Sequence, residues 1–189
     1  MGNVGIITLD PFVKWKSGIY PSITAGDQLW ITDRVQTWRA NDVDWIFVQS
    51  EIPAVGPNRR RDTSALLLRN GTRMWSLLSR LGVDLLLASE FHADTTWSRG
   101  GSTPVQIVHG GRHMRASWLE IDVFGSDHLE LTLWESVGQE AGDGRVWAMT
   151  HHRMNNGPIA GTPRVTGTAT VTSDRRVRDR TGFLREGDQ

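Results

Sequence analysis

Glu90, Phe91, His92 and Asp94 set two carboxylates and an imidazole within five residues, directly after an apolar run from Val83 to Ser89 that follows Gly82. That run reads as a short buried strand. Carboxylate oxygens and imidazole nitrogens are the donors a hard divalent cation takes, and in layered α/β proteins ligands gather at the carboxyl ends of strands. In extended backbone Glu90 and His92 share a face while Phe91 points away. A Thr/Trp/Ser/Gly loop follows, then a second apolar strand from Val105 to Val108 that ends in His109, Gly110 and Gly111. The two glycines leave room for a substrate or a backbone to approach His109. Spacing alone leaves two readings open: a polar turn between core strands, or a metal site.

The elements that must position these groups follow from pattern. Val4 to Leu9 reads as a strand stopped by Asp10-Pro11, because proline restricts its predecessor and removes a ladder donor. Lys14 to Thr24, with Gly18 and Pro21, is expected to be a loop. From Asp27 to Arg39 the residues Leu29, Trp30, Ile31, Val35 and Trp38 fall mainly on one helical stripe, with Asp27 as cap or first-turn acid. Trp45 to Gln49 is a continuous apolar strand leading into Ser50-Glu51, and Pro53, Gly56 and Pro57 then force an irregular loop carrying Arg59, Arg60 and Arg61. A guanidinium fork suits phosphate oxygens, although a triple arginine also reads as a solvated face. Thr72 is the expected N-cap of a second helix with Trp75, Leu78 and Leu81 inward and Gly82 closing it. Ser117 to Phe124 and Leu129 to Leu133 alternate well enough for a hairpin turning at Gly125-Ser126-Asp127. Beyond Glu135 glycine, asparagine, proline and arginine dominate, with β-prone pieces near 145–150 and 165–172; His151-His152 there reads as surface. The expected organisation is one unit over 1–136 and a Gly/Arg-rich, β-prone appendage over 137–189, packed on the same domain.

The central stretch resembles the last metal-ligand segment of the calcineurin-like metallophosphoesterases. In that family a GVDL-type strand runs into a Gly-His-x-His turn and a later strand ends near a Gly pair. Here Gly82-Val83-Asp84-Leu85 runs into Ser89-Glu90-Phe91-His92, and Val105-Gln106-Ile107-Val108-His109 precedes Gly110-Gly111. Upstream, Trp45 to Pro53 is similar to the family's strand that ends in Gly-His-x-Pro, with Glu51 in the histidine's place. The resemblance spans roughly residues 4 to 135 and corresponds to the C-terminal half of the family's αββα sandwich. It implies an α/β (α+β) fold of helices over mostly parallel strands, with an antiparallel hairpin region towards the C-terminus. It further implies that His92 is a ligand of one metal and that Glu51 and Glu90 occupy ligand positions of the other. Asp94 would support His92, and His109 and Arg59 would contact substrate. The family's Asp-x-His, Gly-Asp and Gly-Asn segments have no counterpart here. The chain is therefore expected to be the C-terminal portion of a longer enzyme, one half of a split pair with a second chain, or a degenerate relative, and a poor catalyst alone.

Composition bounds the alternatives. A chain of 189 residues can bury one substantial core. With 21 basic and 21 acidic residues the formal charge is zero, so charge gives no reason to expect nucleic acid or an anionic membrane as a partner. Cysteine is absent, which removes disulfides, thiolate zinc sites and cysteine nucleophiles. The expected cofactor is a divalent metal, Mn, Fe or Mg rather than structural Zn, and the expected substrate a phosphate ester. No apolar run approaches the roughly 20 residues of a membrane helix, and Met1-Gly2-Asn3-Val4 has no signal-peptide pattern, so the default expectation is cytoplasmic. Nine tryptophans, read mostly as packing residues, sustain the competing reading of a non-catalytic protein-interaction module of the same fold. A sugar-cleaving domain with paired carboxylates is a weaker third.

Overall fold

The computed structural model describes residues 3–16, 18–56, 70–89, 96–109, 115–137, 163–182 and 185–186. Along the chain run β1 (Val4–Leu9), β2 (Phe12–Trp15), β3 (Gly18–Pro21), α1 (Ala25–Ala40), β4 (Trp45–Ser50), α2 (Gly71–Arg80), β5 (Leu85–Ala88) and β6 (Thr96–Arg99). β7 (Val105–Val108), β8 (Arg115–Phe124), β9 (His128–Val137), β10 (Pro163–Thr172), β11 (Val177–Gly182) and β12 (Arg185–Glu186) complete it. The first large sheet has the order β1-β4-β5-β7-β6-β12, and its first four strands are parallel. The second is antiparallel, in the order β11-β10-β9-β8.

Side chains alternate across the first sheet and thereby divide the core in two. Ile7, Ile46, Val48 and Leu86 point to one face, where they pack with Ile31 and Val35 of α1 and Met74, Leu77 and Leu78 of α2. Trp45, Phe47, Leu85, Val105 and Ile107 point to the other and meet Leu129, Leu131, Leu133, Ala169 and Val171 of the second sheet. The molecule is thus a mixed α/β structure layered helix, sheet, sheet. Because β1, β4 and β5 lie in sequence order with both helices on one face, each crossover shifts the chain one strand along the sheet.

Several expectations change in detail. The stretch read as a loop after Lys14 instead completes a small hairpin, β2 with β3. Helix α1 is capped by Thr24, which accepts from the Asp27 amide while the Asp27 carboxylate accepts from the Thr24 amide. Its apolar residues go round the helix rather than along one stripe, and Leu29 and Trp30 are 73% and 49% exposed. Asn70, not Thr72, precedes α2, and its side chain ties to the Ile23 backbone instead of capping. The 165–172 piece, expected in a β-prone appendage, is β10, which lies between β9 and β11 with Ala169 and Val171 buried. No helix among the described residues is long and apolar enough to cross a membrane.

Candidate functional site at the carboxyl edge of the parallel sheet

β4, β5 and β7, the three strands expected to converge, are direct neighbours and run parallel. Their carboxyl ends therefore share one edge. There the Ser89 amide donates to the Glu51 carbonyl at 3.1 Å, and the His109 amide to the Ala88 carbonyl at 2.8 Å. The exits of the three strands are stitched side by side, and residues 51, 89 and 109 stand in a row.

Glu51 is held by its backbone and free to work with its side chain. Ser50 Oγ–H donates to the Ile52 carbonyl at 2.8 Å, and Ile52, Pro53 and Ala54 are buried while the Glu51 side chain is exposed. The following turn is clamped by Gln106, which occupies the helix-side face of β7. Its amide oxygen accepts from the Ala54 and Val55 amides at 3.0 and 3.1 Å, and its Nε2–H donates to the Val55 carbonyl at 2.9 Å. Gly71, the first residue of α2, packs so closely on the Ala54 carbonyl that a Cβ there would overlap it. His109 is half-buried, and its Nε2 lies 3.3 Å from Ser117 Oγ on β8, which ties the second sheet to this edge.

At the opposite, amino edge stands a second polar centre. Asp84, just before β5, accepts from the Ile46 amide and from Arg39 Nη2, each at 2.8 Å, and its other oxygen is 3.7 Å from Arg175 Nη1. Burial pushes its carboxyl above the ordinary value, against the lowering effect of the Ile46 amide and the two guanidinium groups. This cluster joins α1, the parallel sheet and the β10–β11 turn, where Arg175 also exchanges hydrogen bonds with Gly101. It is a structural clamp, remote from Glu51 along the strands.

Of the residues singled out by sequence, Glu51 and His109 are brought to the same edge. Glu90, His92, Asp94, the Arg59 to Arg61 run and His151-His152 lie outside the described residues. Among the described residues no three His, Asp or Glu side chains are grouped to hold one ion. Sequence reasoning missed Gln106, Asp84 and Ser117. A lone amide within an otherwise apolar strand was the available signal for Gln106. The described geometry defines the class as a layered α/β protein with an exposed carboxylate and a histidine at the carboxyl edge of a parallel sheet. Compared with known proteins, neither a family model nor a curated sequence matches the chain.

Proposed function

We propose that this chain is the C-terminal portion, as part of a longer chain or as one of two chains, or a degenerate form, of a metal-dependent phosphoesterase resembling the calcineurin-like family. The observation that supports it is the clamped turn that presents the Glu51 carboxylate beside the exits of β5 and β7. The donor chemistry fits a hard divalent ion: Glu51, Glu90 and His92 offer carboxylate and imidazole, and the chain has no thiolate to favour structural zinc. In this reading those three residues hold the ion and Asp94 orients His92 through its second ring nitrogen. In the same reading His109 and Arg59 would contact the substrate or support the metal ligands. A bound divalent ion polarises phosphate oxygens and makes a water acidic enough to attack. The described contribution of the chain is to hold the Glu51 carboxylate and His109 at one sheet edge, which limits the reorganisation left for the reaction.

Calorimetric titration with Mn²⁺ tests this. Wild type is expected to bind modestly, Glu51→Ala and His92→Ala to bind at least about tenfold more weakly, and all binding to fade in mild acid because a coordinating imidazole must be neutral. Identical traces for wild type and both variants would remove the reading. One observation favours the non-catalytic alternative, an interaction module of the same fold. Trp118 and Trp134 stack on the outer face of the second sheet with ring centroids 5.9 Å apart, and Trp118 is exposed. Absence of metal binding with an intact fold would leave that reading standing.

A further inference from the structure

The two sheets do not cover each other completely. At the amino end of β4, the Trp45 indole N–H donates to the Gly125 carbonyl in the β8–β9 turn. At the other end of β8, Ser117 meets His109 at the carboxyl end of β7. β8 therefore runs obliquely, from above β7 at the carboxyl edge to above β4 at the amino edge. The carboxyl halves of β1 and β4 lie outside this diagonal. Val4, Trp45 and Phe47 are packed in the inter-sheet core, but Ile6, on the same face and paired with Phe47, is 54% exposed, and Thr8 and Gln49 beyond it are exposed. β8 bounds this open area, and among the described residues it pairs only with β9. Val123, which points inward on β8, is 37% exposed. An open strand edge beside an uncovered continuation of the core is a template for a further strand.

We propose that the edge of β8 left unpaired among the described residues docks one strand of a different polypeptide, with apolar residues inward over Ile6 and basic residues outward. The inward half of this pattern follows from continuity with the inter-sheet core. The outward half follows from charge: Glu120 and Asp122 project from the outer face of β8, and Asp122 is opposite Glu130 of β9. The same charges argue against a second copy of this chain. Antiparallel self-pairing centred on Ile121 sets Glu120 against Asp122, and centring on Glu120 sets it against itself, and like charges directly opposite are destabilising. The docked strand reaches the edge that carries Glu51 and His109; resting on the phosphoesterase reading, it is the route by which donors missing from this chain enter the site.

The probe is a fluorescent ten-residue peptide alternating valine and lysine, titrated onto the full chain in the presence of EDTA, so that the outcome is independent of metal binding. Binding is expected with slowed hydrogen exchange in β8. A valine/glutamate peptide, and a valine/lysine peptide N-methylated at alternate residues, are expected not to bind. The exposed double variant Glu120→Lys/Asp122→Lys should weaken the lysine peptide by about tenfold and admit the glutamate peptide. Equal binding of the N-methylated peptide, protection of β1 instead of β8, or no binding at all would overturn the proposal. So would a wild-type dimer in sedimentation equilibrium that is altered by the same double substitution, since the occupant would then be a second copy.

Discussion

Gln106 fixes the turn that follows Glu51. Its side chain satisfies two amides and one carbonyl of that turn. Gln106→Leu keeps the volume and removes every bond. The expected cost is about 3 kcal/mol, read from the urea midpoint at unchanged slope, because buried unsatisfied groups each cost ~1–3 kcal/mol. An unshifted midpoint would show that the turn does not depend on the amide. Asp84 makes a different prediction. With its folded-state carboxyl raised by burial, the native state holds the proton more tightly than the unfolded chain does, so this group's contribution to stability falls as pH rises from the ordinary carboxylate range through the raised value. In Asp84→Asn that slope disappears. The stability difference, wild type minus variant, should therefore decline with rising pH over that window in denaturation curves; a rise would mean that the guanidinium groups of Arg39 and Arg175 outweigh burial. Neither role was legible beforehand, since a glutamine or aspartate inside an apolar run announces that it needs partners without saying which distant residues they are.

Elements were read best where burial is regular. β1, β8 and β9 follow from alternation, because a strand with one face on the core is apolar at every second position, and β4 and β7 from continuous apolar runs, because both their faces are covered. β10 was read as a β-prone piece but not as an interior strand, because its inward residues are Gly167, Ala169 and Val171, two of them too small to mark a core face, while threonines fill the other side. The β2–β3 hairpin escaped because glycine and proline read as loop formers even when, as here, they border two four-residue strands. In α1 the apolar residues surround the helix, so the pattern does not separate buried Ile31 and Val35 from exposed Leu29 and Trp30. Its start is nevertheless well specified by the reciprocal Thr24 and Asp27 bonds. Thr24→Ala should cost about 1 kcal/mol, seen as a lower thermal midpoint and faster amide exchange in the first turn. Of the candidate site, the strand ends were legible from the apolar runs that feed them. The identity of the ligands rests on residues 90–94, outside those described.

At the scale of the molecule, the contacts that fasten the two sheets among the described residues include the Trp45 indole on the β8–β9 turn, His109 with Ser117, and Arg175 between Asp84 and Gly101. Arg175 joins the β10–β11 hairpin to the parallel sheet at Asp84 and to the turn at Gly101. Arg175→Ala is expected to destabilise by about 2 kcal/mol, the cost of losing charge-assisted bonds, and to raise hydrogen exchange at the β10–β11 turn before it does so in β4 and β5. Uniform acceleration throughout would show that the sheets open together. The place of β10 bears on how the protein is made. Ribosomes deliver the chain from its amino end at about 5–20 residues per second. The β8–β9 hairpin is therefore complete for some seconds while Leu129, Leu131 and Leu133 still await Ala169 and Val171. During that interval the nascent chain displays a sheet edge of alternating leucines, so it stays open to aggregation until β10 emerges and covers β9.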